Sequence, residues 1–332
     1  MAKKIIFFSI IIFIGIVLYS RKTQIIRPAT VVSPNPLQVS YMRSRNYPGS
    51  DLKIEQILSD GSNYKRYVAS YYSDNLKIYG LLTVPVGQVP AHGFPAIIFN
   101  HGYITPESYT STGNYIAYVD ALARNGYVVF KPDYRGNGKS EGTPGSSYFS
   151  TNYDVDDLNA IASVKKYSVV NSSKIGIWGH SMGGHITLVD LVVSNDVKAA
   201  VIWGGVVGSY NDILYNWQNR VAYHPDAEDL KLRNMGSQDL LTQYGTPTQN
   251  PDFWNSIDPI VNLNFVNAPV QIHVGLADEE VPPDSSQNLF DKLKGLGKTV
   301  EFYSYTGADH NISQSFNLAM QRSISFFDKY LK

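Results

Sequence analysis

A serine between glycines stands where a short apolar run gives way to a helical pattern. The residues Gly-His-Ser-Met-Gly-Gly occupy positions 179–184, directly after Ile175–Trp178. A G-x-S-x-G sequence between a strand and a helix predicts a sharp turn that exposes the serine hydroxyl, because glycine lets the backbone fold back on itself. The helix N-terminus that follows adds free N–H groups and the positive end of a dipole. We therefore predict that Ser181 is a nucleophile.

A serine hydroxyl needs a positioned base, and histidine can both accept and return a proton near neutral pH. The seven histidines are His92, His101, His180, His185, His224, His273 and His310. His310 follows the last predicted strand and precedes the closing helix, which predicts a place at the same sheet edge as Ser181. The other histidines are interpreted as packing, strand or loop residues. His310 is the predicted base.

The acid that orients the base should follow a neighbouring strand at that edge. Val270–Val274 has the pattern of a strand, and Asp278 stands just past its end in the segment 275–282, Gly-Leu-Ala-Asp-Glu-Glu-Val-Pro. A carboxylate there can accept the imidazole N–H and fix its tautomer. Three further aspartates, interpreted as cap or turn residues, are Asp258, Asp284 and Asp309.

Two backbone N–H groups are predicted to stabilise the oxyanion of an acyl-transfer reaction. Met182 directly follows the nucleophile and supplies one. The loop after the predicted strand Ala96–Asn100 supplies the other, which we assign to the N–H of Tyr103. His101 is expected to support this loop without transferring a proton. The chemistry requires no cofactor and no metal.

Alternating strands and helices must position these residues. Three strands come first, at Lys53–Leu58, Tyr64–Ser73 and Lys77–Val84, and the turn signals between them predict an antiparallel start. Further strands are predicted at Ala96–Asn100, Tyr127–Pro132, Ile175–Trp178, Ala199–Trp203, Val270–Val274 and Val300–Tyr305. The helices between them are Tyr115–Arg124, Asp154–Tyr167, Met182–Ser194, Ser285–Leu296 and Asn311–Leu331. This order predicts an α/β fold with a mostly parallel, twisted sheet and helices on both faces.

The segment from about residue 208 to 266 interrupts this alternation between two strands. Its polar sequence contains Trp217, Phe253 and Trp254. Parallel sheets hold their reactive groups at the carboxyl ends of the strands, so an insertion here is predicted to cap the site. An alternative is a peripheral helical excursion that never touches substrate. The aromatic residues are candidates either for a pocket wall or for the core of the cap.

The N-terminal residues have the pattern of a targeting signal. Lys3 and Lys4 precede an apolar run from Ile5 to Tyr19 without a good cleavage site after it, so residues 1–22 are predicted to be a signal-anchor, with a cleaved signal peptide as the alternative. Residues 23–49 contain several prolines and are expected to form an extended tether. The catalytic domain is then expected over residues 50–332. We therefore expect the protein to be extracytoplasmic and anchored to a membrane.

Composition excludes several classes of protein. The 28 basic and 28 acidic residues balance and form no basic cluster, which argues against a nucleic-acid partner. Cysteine is absent, so disulfides, cysteine nucleophiles and thiolate metal sites are excluded.

Several motifs together resemble one family. Asn100-His101-Gly102-Tyr103, the loop Asp133–Gly142, the elbow at 179–184, Asp278 with Glu279-Glu280-Val281-Pro282, and Asp309-His310 occur in the same order as in the α/β-hydrolase superfamily. The chain is most similar to the catalytic domains of the prolyl-oligopeptidase-like group and related bacterial esterases. The resemblance implies an α/β-hydrolase fold from about Lys53 onward, and Arg135 is expected to anchor a structural loop.

The resemblance leaves the substrate open. Two-domain peptidases of this group carry a β-propeller before the catalytic domain, for which this chain has no room, and His101 stands where they often use a tyrosine. These departures favour an esterase over a peptidase, but small esters and short peptides both stay candidate substrates. A different kind of function is also possible, that of a catalytically silent, membrane-tethered binding protein with a hydrolase fold. The intact set of Ser181, Asp278 and His310 argues against it.

Overall fold

The computed structural model describes residues 35–145, 148–217 and 227–332, and only the backbone at 228, 229, 232 and 233. Nine strands in these ranges form a single sheet. They are β1 (Lys53–Ile57), β2 (Tyr64–Ser73), β3 (Leu76–Pro85), β4 (Phe94–Asn100), β5 (Val128–Pro132), β6 (Val170–His180), β7 (Val197–Trp203), β8 (Val270–Gly275) and β9 (Val300–Tyr305). The order across the sheet is β1-β2-β3-β5-β4-β6-β7-β8-β9.

The pairing in the sheet changes once, from antiparallel to parallel. The pairs β1–β2, β2–β3 and β3–β5 are antiparallel, and every pair from β5–β4 to β8–β9 is parallel. The β2–β3 turn has positive φ at both Asp74 and Asn75, the conformation that Asp and Asn tolerate in tight hairpins. The predicted antiparallel start and mostly parallel sheet are confirmed.

Eight α-helices lie between and beside the strands in the described ranges: α1 (Val39–Ser44), α2 (Ile116–Arg124), α3 (Asn152–Lys166), α4 (Met182–Val193), α5 (Ala227–Tyr244), α6 (Pro251–Ile257), α7 (Pro283–Gly295) and α8 (Phe316–Leu331). Short π-helical and 3₁₀ turns lie at Asp212–Asn216, Leu263–Phe265 and Ser313–Ser315.

Helices cover both faces of the sheet, because the strands are apolar on both sides. Along β4, Ile98 belongs to a core with Ile161 of α3 and Leu289 of α7. Its neighbour Phe99 belongs to a second core with Phe327 of α8. Successive strand residues point to opposite faces, so two separate cores form from one strand. This is the α/β-hydrolase architecture that the sequence predicted.

The prediction of an extended tether over residues 23–49 is wrong for its described part. Residues 39–44 form helix α1, and Val39 and Met42 are each only 3% exposed because they pack into the core beneath α4. Pro36 and Pro48 flank the helix and therefore do not disrupt it. The compact unit begins at Asn35 and not at residue 50.

The predicted signal-anchor at residues 1–22 lies outside the described residues, as does the tether up to residue 34. Within the ranges that the structure describes, no helix has both the length and the apolar character needed to cross a membrane.

The insertion between β7 and β8 packs against the body of the domain. Trp217, Leu240 and Trp254 of the insertion share a hydrophobic cluster with Met182 and Val281. Met182 follows the predicted nucleophile, and Val281 lies three residues after Asp278. The described part of the insertion therefore contacts both sides of the predicted site.

Candidate active site

Ser181 lies at the sharp turn between β6 and α4. Its backbone has φ 56° and ψ −121°, which is a strained conformation for a residue with a side chain. The turn is fixed from two sides, because the Ser181 N–H donates to the carbonyl of Trp203 (3.1 Å) and the Val206 N–H donates to the Ser181 carbonyl (3.0 Å). The neighbouring strand end thus holds the serine in this conformation.

Two glycines make this turn possible. A Cβ atom at Gly179 would lie 2.3 Å from the carbonyl oxygen of Gly183. A Cβ atom at Gly183 would lie 2.0 Å from the carbonyl oxygen of Asn100, at the end of β4. Neither position has room for a side chain, so the spacing of the motif has a direct steric cause.

Asp278 and His310 form a hydrogen-bonded pair in the loops after β8 and β9. The Nδ1 atom of His310 lies 2.8 Å from Oδ2 of Asp278. The other carboxylate oxygen, Oδ1, accepts the N–H groups of Glu280 and Val281, both at 2.8 Å. The N–H of Ala277 donates to the carbonyl of Ala308 (2.9 Å) and ties the two loops together. The Asp278 carboxylate is therefore fixed on both oxygens.

The environment makes His310 the most basic of the buried histidines. Burial alone would lower the pKa of His310, but the hydrogen bond and charge of Asp278, with smaller contributions from Glu280 and Asp309, raise it above the ordinary value. Its Nε2 atom is buried and has no hydrogen-bond partner among the described residues. The carboxylate oxygen Oε2 of Glu280 lies 3.7 Å from this nitrogen. This nitrogen is available to accept a proton.

The other buried histidines have structural contacts and stay neutral near pH 7. Burial lowers the pKa of His101 and His273 to about 3 and that of His185 to about 4. Burial also places the pKa of His180 well below its usual value. His101 stacks on the ring of Tyr109 at 4.7 Å, as expected for a residue that supports its loop. His224 lies outside the described residues.

The loop predicted to contribute the oxyanion donor lies directly against the serine. A Cβ atom at Gly102 would be 3.1 Å from the Cβ of Ser181. The N–H of Gly102 donates to the hydroxyl of Tyr115 (2.9 Å) and is therefore already used. Tyr103 is the next residue in this loop. Met182 is the first residue of helix α4, and the N–H groups in the first turn of a helix have no acceptor within the helix.

A small apolar pocket, with a cavity volume of about 10 Å³, adjoins this edge. Its wall includes Val206, Ile213, Trp217, Val281 and Pro282. The indole N–H of Trp217 donates to the carbonyl of Glu280 (2.6 Å), which joins the insertion to the Asp278 loop.

Of the three aromatic candidates in the insertion, only Trp217 lines this pocket. Phe253 stacks on Tyr244 at 3.7 Å, and the Trp254 indole donates to the carbonyl of Gly245 (2.9 Å). Both are core residues of the insertion.

The remaining candidates have structural contacts. Asp258 accepts the N–H groups of Tyr210 and Ile260, and Asp309 accepts the N–H of Ser313. Arg135 forms a two-point contact with Asp156, in agreement with the predicted anchoring role.

Two residues at the site were not predicted from the sequence. Tyr115 bonds to Gly102 and His180, and Glu280 approaches His310. Glu280 could have been suspected from its place in the Asp278 loop, but the pattern around Tyr115 indicated only a helix start.

The chain is similar to known peptidases. The model of the prolyl oligopeptidase family, Peptidase S9, matches residues 114–332. The Bacillus subtilis protein described as uncharacterized peptidase YtmA is 27% identical over 268 residues, which are 80% of this chain and 94% of that protein.

Solved structures of hydrolases have the same fold. Acylaminoacyl peptidase from Pyrococcus horikoshii aligns with a TM-score of 0.64 at 21% identity, over 82% of this chain and 42% of that one. Acetyl xylan esterase from Paenibacillus sp. R4 also aligns with a TM-score of 0.64, at 16% identity, over 88% of this chain and 92% of that one. With the family match over most of its length, the chain belongs to the prolyl oligopeptidase family and is a serine hydrolase, either a peptidase or an esterase.

Proposed function

We propose that the protein cleaves small esters or short peptides through an acyl-enzyme formed on Ser181, with His310 as the base and Asp278 as the acid that orients it. The observation that carries this proposal is the 2.8 Å contact between His310 Nδ1 and Asp278 Oδ2. Since a carboxylate only accepts, Nδ1 carries the proton and Nε2 has the lone pair that a general base requires.

The proposed reaction has two halves. Nε2 of His310 takes the hydroxyl proton as Ser181 attacks the carbonyl carbon, and the same proton then goes to the leaving alcohol or amine. Water repeats the sequence on the acyl-enzyme and releases the acid. The N–H groups of Tyr103 and Met182 are proposed to stabilise the oxyanion of both tetrahedral intermediates. Asp278 keeps its charge and stabilises the imidazolium.

The apolar pocket is the proposed site for the acyl group or the side chain next to the scissile bond. Val206 bonds to the Ser181 carbonyl and Val281 bonds to Asp278, so the pocket wall is connected to both catalytic loops. Its cavity volume of about 10 Å³ is far below the range of about 300–1,000 Å³ typical of drug-sized ligands. A small apolar group is therefore the expected occupant.

Active-site labelling tests the mechanism. A fluorophosphonate probe is expected to label the wild-type protein and not the Ser181→Ala variant. Ser325→Ala removes an exposed serine from α8 and is the matched control, which should label normally. Labelling of the Ser181→Ala variant would contradict the proposal. Absence of labelling in the wild-type protein would also contradict it and would favour a binding protein with a hydrolase fold.

A substrate panel separates the two kinds of hydrolase. p-Nitrophenyl acetate, butyrate and octanoate measure esterase activity, and alanyl, prolyl and phenylalanyl p-nitroanilides measure peptidase activity. The pocket predicts that kcat/KM for the esters falls from butyrate to octanoate. A preference for octanoate would refute the assignment of this pocket.

The predicted signal-anchor at residues 1–22 supports a further proposal, that the enzyme works outside the cytoplasm attached to a membrane. Lys3, Lys4 and the apolar run after them are the basis for it. Membrane fractionation followed by N-terminal sequencing tests the proposal. An intact N-terminus in the membrane fraction is expected, whereas a soluble chain that lacks these residues would indicate a cleaved signal peptide.

A further inference from the structure

A chain of three hydrogen bonds joins the loop after β4 to the loop after β9. The Gly102 N–H donates to the Tyr115 hydroxyl oxygen (2.9 Å). That hydroxyl lies 2.7 Å from Nδ1 of His180. On the other side of the same ring, Nε2 lies 3.1 Å from the carbonyl oxygen of His310. The chain thus connects the oxyanion loop to the backbone of the proposed base, through the residue before Ser181.

The direction of every bond in the chain follows from its two ends. A carbonyl only accepts, so His180 Nε2 carries the proton that goes to His310. Burial, together with nearby His310, lowers the pKa of His180 well below its usual value, so the ring is neutral and Nδ1 accepts. The Tyr115 hydroxyl therefore donates to Nδ1 and accepts from Gly102. No member of the chain can rotate or change tautomer without losing a bond.

The backbone at Tyr115 is a second, independent observation. Tyr115 has φ 60° and ψ 26°, the left-handed conformation that a bulky residue rarely adopts. Its hydroxyl lies where a side chain at Gly102 would be, only 2.5 Å from a Cβ built there. The ring is held edge-on against Phe99 at 5.5 Å. Strain of this kind persists where the surroundings over-determine a position, and it often marks functional sites.

We propose that Tyr115 and His180 are positioning residues that hold the proposed oxyanion donor and the proposed base in a fixed relation to Ser181. This inference rests on the proposed function. The strand order separates β4 from β9 by three strands, so the two loops have no direct strand pairing. The Tyr115–His180 chain is a connection that crosses this distance on the side of the serine, and both residues are proposed to act through the groups that they hold.

Removal of one hydroxyl tests the proposal. Tyr115→Phe leaves the Gly102 N–H and His180 Nδ1 without their partner while it keeps the ring. The expected result is a fall in kcat of about 10- to 100-fold, less than the roughly 10²–10³ for a lost oxyanion donor, with KM changed less than about threefold. Affinity for a trifluoromethyl ketone, which forms the oxyanion, should fall by the same factor as kcat/KM. Affinity for the carboxylic acid product should not change.

The matched control is Tyr64→Phe. It removes a tyrosine hydroxyl away from the site, which donates to Oδ1 of Asp120 in helix α2 (2.8 Å). Its kcat and inhibitor affinities should equal those of the wild type. If Tyr115→Phe behaves like Tyr64→Phe, or changes KM and not kcat, the inference is wrong.

Variants at His180 test the same series of hydrogen bonds from its other end. His180→Gln has both a donor and an acceptor and should keep more activity than His180→Leu. Combining Tyr115→Phe with His180→Leu should lower kcat little further than the worse single variant, because both break the same chain. Additive losses would refute a shared role. The melting temperature of each variant is measured to show that it is folded. If Tyr115→Phe does not fold, the activities of the two His180 variants decide the question.

Failure of the inference differs from failure of the proposed function. If the function is wrong, the wild-type protein shows neither probe labelling nor turnover. If only the inference is wrong, the wild type is active and Tyr115→Phe remains as active as the control.

Discussion

Replacement of Asp278 by asparagine should disable His310 by changing its tautomer and not by removing a contact. Oδ1 of Asp278 accepts two backbone N–H groups, from Glu280 and Val281, at 2.8 Å each. In Asp278→Asn the amide oxygen should take this position, because the NH₂ group would face two donors there. The NH₂ group then lies at the Oδ2 position and donates to His310 Nδ1. The proton of His310 is left on Nε2, which can no longer accept from Ser181.

The two backbone donors set the size of the effect. Leaving a buried donor unpaired costs about 1–3 kcal/mol, so two donors favour this amide orientation by about 2–6 kcal/mol. At about 1.36 kcal/mol per factor of ten, the loss in kcat/KM is about 30-fold at the lower limit and about 10⁴-fold at the upper limit. A loss on the order of 10⁴ is known for the equivalent change in a serine protease, so we expect the upper part of this range.

Ester hydrolysis and the rate of fluorophosphonate labelling measure the loss, and both should fall together because each requires an activated serine. Loss of the Asp278 charge also leaves burial as the main effect on His310, so its pKa should fall and the acid limb of kcat/KM should move to lower pH. Asp284→Asn, at the start of α7, is the control. A folded Asp278→Asn variant that keeps more than a tenth of the wild-type kcat/KM would refute the tautomer argument.

Three further changes test other parts of the site. Glu280→Gln should move the acid limb of the pH–rate profile to lower pH, because the charge of Glu280 raises the pKa of His310; an unmoved limb contradicts this. Trp217→Ala removes a pocket wall and should lower kcat/KM for p-nitrophenyl butyrate by about tenfold or more relative to acetate, and an unchanged ratio would exclude Trp217 from the acyl pocket. Burial raises the pKa of Asp157 to about 6 and also raises the pKa of its neighbour Asp190, so the stability that protonation of this pair contributes is fully present below about pH 4 and is lost as pH rises through about 6. Asp190→Asn should therefore reduce the fall in Tm between about pH 4 and about pH 7, and an equal fall in Tm in both proteins would show that this pair is not the cause.

Local signals in the sequence were sufficient for the strands of the sheet, for the helices between them and for the elbow. The strand and helix order follows from apolar periods of two and 3.6, which are local properties of the chain. The elbow follows from glycines two residues on either side of Ser181, and the short contacts at Gly179 and Gly183 explain why. Helix α1 was missed because it buries only Val39 and Met42, a pattern too short to distinguish from a tether.

The sequence by itself determined the α/β class and nominated Ser181, and chain order was enough to nominate Asp278 and His310. Tertiary structure decided which groups meet. Asp278 and His310 are 32 residues apart, and Tyr115 and His180 are 65 apart. Contacts over such separations depend on the strand order and on loop conformations such as the left-handed Tyr115, neither of which a local pattern of residue types encodes. The hydrogen bonds of the site form because the sheet edge brings its loops together, and that is a property of the whole fold.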